Sequence, residues 1–96
     1  MFVSIRKYAG CKDVQELNRR VVAVLVPVLR ASPGYQSYAV VDLGNNAVAS
    51  ISMFDTREQA ESATLQAREL VQKHLSDLVP NAPEVTIGEV LSESRK

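Results

Sequence analysis

The chain predicts an α+β fold of the ferredoxin-like kind, β-α-β-β-α-β, with a four-stranded antiparallel sheet and two helices on one face. Two observations lead there. Apolar residues alternate with a period of two in "FVSIRKY", "YQSYAVVDL", "AVASISMF" and "EVTIGEVL", and recur with a helical period in the two stretches between. The order of these periods is the split βαβ pattern, and right-handed crossovers place both helices on the same side.

The first strand ends at "GCK", after which Asp13 and Glu16 have the spacing of a capping box opening a helix. In "VVAVLVPVL" the β-branched residues favour a strand, and Pro27 disfavours a helix interior. Periodicity decides for a helix over about Asp13 to Ala31. Val14, Leu17, Val21, Val22, Val24, Leu25, Val28 and Leu29 share one sector of the wheel. Pro27 falls on the solvent side, where water can replace the bond it denies, so a bend is expected there. "SPG" stops this helix, and Tyr35 to Leu43 reads as a strand. A tight turn at Gly44–Asn45 returns it as Ala47 to Phe54. Asp55 or Thr56 caps a second helix, with Glu58 or Gln59 three residues on. Its stripe is Ala60, Ala63, Ala67, Leu70, Val71, His74, Leu75 and Leu78. "PNAP" ends that helix before the last strand.

Ninety-six residues make one domain, expected over 1–92, with 93–96 a flexible tail. Formal charge balances to zero, leaving no net field to attract nucleic acid or an anionic membrane. The first half is net basic and the second net acidic, which is ordinary surface variation or a means of head-to-tail pairing. Cys11 is alone, so no internal disulfide and no thiolate metal cluster is expected. The longest apolar run, Val21 to Leu29, is about half a membrane span, and the N-terminus opens directly into strand alternation. A soluble, cytoplasmic protein is the expectation.

With the turn at Gly44–Asn45, pairing sets Tyr35 against Phe54, Ser37 against Ser52, Ala39 against Ser50 and Val41 against Val48, all on one face. The alternate set, Tyr38, Val40, Ala49, Ile51 and Met53, suits packing under the helices. A slip of one residue would exchange the two faces. Together with Ser4, Arg6 and Tyr8 of the first strand, the first set gives the uncovered face small hydroxyls, rings and a guanidinium. Two such faces opposed in a homodimer would enclose a cavity.

"PGYQSYAVVDLGNNAVASISMFDTREQAE" resembles the antibiotic biosynthesis monooxygenase-like family. Pro33, Gly34 and Tyr35 match the family's opening of the second strand. Phe54, Thr56 and Ala60 match its strand-to-helix junction, with Phe where Trp is commoner. The likeness spans nearly the whole chain in element order, on short motifs. It implies a dimeric α+β barrel in which two sheets face each other, with a ligand pocket between each sheet and its helices or in the barrel. Its members include cofactor-independent oxygenases of polycyclic phenols and haem-degrading enzymes. The haem-degrading branch uses an Asn on the first strand, a Trp on the second helix and a further His. This chain has no Trp and no Asn in "FVSIRKY", and only His74 as an axial ligand, which counts against haem degradation.

The candidate ligand-binding residues are therefore Ser4, Arg6, Tyr8, Tyr35, Ser37, Ser50, Ser52, Phe54 and His74. Arg6 would hold an anionic or phenolate group if it points into the cavity, though a snorkelling Arg is the plainer reading. Tyr8, Tyr35 and Phe54 would stack on a flat aromatic ligand or simply pack an interface. Ser37, Ser50 and Ser52 have no His–Asp pairing, so none reads as a nucleophile. His74 and Asn18, polar members of apolar stripes, read first as satisfied core or interface residues. Cys11 lies in a loop before a helix N-terminus, where a lowered pKa is conceivable and an inert thiol the simpler reading. No cofactor and no metal are expected. The signatures of an RNA-binding RRM, a C-x-x-C metal carrier and an acylphosphatase are all absent.

Without an acid–base pair no catalytic residue is assigned. The reading is a dimeric small-molecule-binding or assembly module. The alternative is a cofactor-independent, monooxygenase-like enzyme whose aromatic or phenolic substrate itself activates dioxygen.

Overall fold

The computed structural model describes residues 1–96. Its elements run β1 (Phe2–Tyr8), α1 (Val14–Arg30), β2 (Tyr35–Gly44), β3 (Ala47–Phe54), α2 (Arg57–His74) and β4 (Glu84–Glu89). The antiparallel sheet has the order β2-β3-β1-β4, and both helices cover one face, as the ferredoxin-like pattern requires.

Asp13 opens α1 from a left-handed conformation, and its side chain accepts from the Glu16 amide at 3.1 Å. The reciprocal half of the expected capping box is missing because the Glu16 carboxylate turns to Arg19 and Arg20, at 2.7 and 2.8 Å. Leu17, Val21, Leu25 and Leu29 form the buried stripe. That stripe is narrower than the sequence suggested: Val22 is 54% exposed and Asn18 is exposed too. Pro27 sits inside the helix on its solvent side. At α2 the Thr56–Gln59 box is complete in both directions, at 3.2 and 3.1 Å. Ala60, Ala63 and Ala67 are all buried, so α2 approaches the sheet on a row of methyl groups.

The hairpin differs from expectation, and the difference decides the site. The turn is Asn45–Asn46, both with positive φ and preceded by Gly44 at φ 81. Ladder pairing shifts between Tyr35 and Ser37 and again between Asp42 and Gly44, leaving Gln36 and Leu43 as extra residues on β2. Between those irregularities Tyr38 opposes Ser52, Val40 opposes Ser50 and Val41 opposes Ala49. This is one residue away from the predicted register, so β1 and β3 turn over relative to β2, whose residues from Ser37 to Val41 keep their expected faces. Ser4, Arg6, Tyr8, Val48, Ser50 and Ser52 lie buried beneath the helices, joined by Tyr38 and Val40. The uncovered face instead carries Val3, Ile5, Ala39, Val41, Ile51 and Met53, with Ser37. Of the apolar residues expected on it (Phe2, Tyr35, Val41, Val48, Phe54), only Val41 is there.

No helix is long and apolar enough to cross a membrane.

Candidate functional site

Arg6 stands at the middle of β1, paired with Ser50 on β3 and Val85 on β4, and points under the helices with 1% of its surface exposed. Its Nη2 donates to Ser50 Oγ at 2.7 Å, and Ser50 Oγ meets Tyr38 Oη at 2.8 Å. A guanidinium can only donate. Ser50 therefore accepts from Arg6 and gives its own proton to Tyr38, which leaves the Tyr38 O–H free to donate onward. Arg6 Nε and Nη1 are buried with no partner. No carboxylate pairs with Arg6: the ion pairs of the chain are Arg19–Glu16, Arg20–Glu16, Arg20–Asp77 and Arg95–Glu93. An uncompensated buried charge costs several kcal/mol, on the order of what breaking a buried pair costs.

The surroundings of this charge are hydroxyls and hydrocarbon. A void of about 20 Å³, which Arg6 itself does not line, is walled by its partner Ser50 with Tyr8 and Tyr38 among branched aliphatics such as Leu17, Val21, Val48 and Val79. That is room for about one water molecule. Burial pushes the Tyr8 phenol above its ordinary value, and the Arg6 charge partly opposes the shift. Burial raises Tyr38 as well, with the Ser50 hydrogen bond and Arg6 pulling the other way. Both phenols thus keep their protons at neutral pH. Outside Tyr8 a larger cleft of about 430 Å³ opens between the C-terminal part of α2, residues 76–83 and β4.

The structure gathers Arg6, Tyr8 and Ser50 from the sequence candidates into one buried group. Ser4 and Ser52 share their face but make no hydrogen bond to that group. Ser4 bonds Thr64 on α2 at 2.7 Å, and because Thr64 already donates to the Ala60 carbonyl, Ser4 is the donor. This is a sheet-to-helix tie. Ser52 is buried opposite Ser4 and Tyr38. Tyr35 and Phe54 pack edge to face at 6.1 Å at the Phe2 end of the sheet and do not line the void at Ser50 and Tyr38. Ser37 points to the uncovered face. His74, the last residue of α2, is exposed instead of lying in the stripe, and its carbonyl accepts from Arg20 at 3.4 Å. Cys11 is buried, and that burial pushes its thiol pKa up, opposite to the lowering conceived for it. Tyr38 and the Val71 and Val79 walls were missed as site residues. Tyr38 had been placed correctly beneath the helices, and only the register could have shown that Ser50 joins it there.

No known family profile and no curated protein matches the chain. Solved structures do match it. A candidate antibiotic biosynthesis monooxygenase from Nitrosomonas europaea superposes with a TM-score of 0.68 at 18% identity, over 96% of this chain and 100% of that one. A variant of SnoaB, a cofactor-independent oxygenase from Streptomyces nogalater, gives 0.74 at 12% identity, over 99% and 97%. The chain shares the fold of these two proteins. A variant of MhuD with two manganese protoporphyrin IX bound per active site has this fold too, at 0.74 and 13% identity over the full length of both chains. The fold therefore serves both oxygenase chemistry and porphyrin binding in other proteins, and the residues beneath the helices must discriminate among such uses. In this chain those residues are a lone guanidinium, two phenols and a hydroxyl.

Proposed function

We propose that the protein binds a small anionic molecule beneath its helices, at Arg6, and does so as a homodimer joined through the uncovered sheet faces. One observation carries the binding reading. Arg6 is buried, charged and left with two unpaired nitrogens, no carboxylate pairs with it, and the Tyr38 O–H beyond Ser50 is free to donate. A ligand that only accepts, a carboxylate or a phenolate, can meet Nε together with the free Tyr38 O–H, Nη1 lying on the opposite edge of the guanidinium. The dimer reading rests on the uncovered face, where Val3, Ile5, Val41, Ile51 and Met53 make an apolar surface of a kind usually covered.

Native mass spectrometry of the purified protein tests the binding reading. An anionic small molecule should accompany the wild-type chain and be missing from Arg6→Met. Equal occupancy in both proteins would refute it.

A second reading shares the same observation. A buried guanidinium flanked by phenol donors also stabilises a substrate phenolate, the species that would pass an electron to dioxygen in a cofactor-independent oxygenase. Oxygen uptake with a panel of polycyclic phenols, in wild type and in Arg6→Met, checks it: Arg6-dependent consumption supports catalysis, and none leaves binding alone.

A further inference from the structure

We propose that the cleft between α2, residues 76–83 and β4 takes the aliphatic body of an amphipathic acid whose anionic head reaches Arg6, with Tyr8 as the gate between them. The inference rests on Arg6 as the anion anchor and adds the class of molecule and the way in. The cleft holds about 430 Å³, against about 20 Å³ for the void at Ser50 and Tyr38, so of the two only the cleft can hold a ligand body without rearrangement. Three residues line both spaces: Tyr8, Val71 and Val79. Tyr8 lies two residues beyond Arg6 on the same face of β1, and Val85, which lines the cleft, is the direct β4 partner of Arg6. Arg6 thus has a cleft-lining residue on its own strand and another on the neighbouring strand, while it does not itself line the cleft. The Tyr8 hydroxyl makes no hydrogen bond within the protein, so rotation of the ring breaks none.

The walls select the ligand's body. Val71, Val79, Pro80, Pro83 and Val85 offer branched and cyclic aliphatic surface, and Tyr8 is the one ring on the cleft. The Tyr35–Phe54 pair that would stack on a flat polycycle is at the other end of the sheet. Arg68 also borders the cleft, but it is exposed, and salt screens an exposed charge far more than a buried one.

Calorimetric titration with octanoate, butanoate and octan-1-ol, at low and at elevated salt, tests both layers separately. Octanoate should bind at least about tenfold more tightly than butanoate, because the extra methylenes bury in the cleft. It should also exceed octan-1-ol by at least about tenfold, and that margin should survive added salt and vanish in Arg6→Met. Val71→Trp should abolish the chain-length effect. Should that variant fail to fold by circular dichroism, Val85→Trp, at a 45% exposed position on the cleft, does the same with no core penalty. Octanoate and butanoate binding alike, with the acid-over-alcohol margin intact, would overturn the cleft while sparing the anion anchor. Octanoate and octan-1-ol binding alike, or no binding by any of the three, would overturn both. A margin that disappears with salt would move the head to Arg68 and refute the Tyr8 gate.

Discussion

Arg6 and Ser50 face each other across the β1–β3 ladder, and the 2.7 Å bond between them is the only hydrogen bond the Arg6 guanidinium makes. A charge so held is weak ground for stability. Arg6→Met should therefore raise the stability of the ligand-free protein by about 1–4 kcal/mol, since a well-packed apolar isostere removes the desolvation penalty. Urea unfolding checks it; a loss of several kcal/mol would mean that the arginine has a counter-charge inside the protein.

Gly34→Ala should destabilise by about 1–3 kcal/mol. Gly34 has φ +77, and a Cβ there would run into the Gln59 carboxamide that completes the α2 capping box. Backbone and side-chain effects act together, so thermal unfolding should show a lowered midpoint with the β2–β3–α2 junction loosened.

Pro27→Ala should change stability by no more than about 1–2 kcal/mol, because a regained helix bond and lost rigidity partly cancel at an exposed position. Loss of cooperative unfolding would contradict the packing of α1 through Leu25 and Leu29.

The alkaline limb of stability should carry the two phenols. Tyr8 and Tyr38 have folded pKa values raised above their ordinary 10.0 by burial, so the unfolded chain deprotonates first. Their stabilisation is then fully present below about pH 10 and is lost as pH rises through the folded values. Tyr8→Phe should flatten this limb in unfolding curves taken across that range; an unchanged slope would place the phenol in water.

The elements of this fold were legible because their periods are strong. Leu17, Val21, Leu25 and Leu29 outweigh Pro27, and Thr56 with Gln59 marks the start of α2 to the residue. The site was only partly legible, for a reason confined to the hairpin. Two extra residues on β2, Gln36 and Leu43, and a turn at Asn45–Asn46 in place of Gly44–Asn45 move the ladder by one. With a period of two, that step carried Ser37 out of the group, brought Tyr38 in, and turned Arg6 from an open face into the core. Gly44, Asn45 and Asn46 all accept positive φ, so composition alone could not choose the turn centre. His74 failed differently: it continues the helical stripe in sequence, but α2 ends there, and the core is carried on by Leu75, Leu78 and Val79 while His74 turns to solvent.

The homodimer is checked by light scattering at micromolar concentration. Twice the 10.5 kDa chain mass is expected, and a monomer would leave Val3, Ile5, Ile51 and Met53 facing water.

The most direct measurement is the nitrogen-edited NMR signal of the Arg6 Nε–H, assigned by its loss in Arg6→Met, during titration with octanoate and with octan-1-ol. The account predicts a saturable downfield shift with the acid, as a charge-assisted hydrogen bond forms at the unpaired nitrogen, and none with the alcohol. A signal that stays in place while octanoate binds would contradict it.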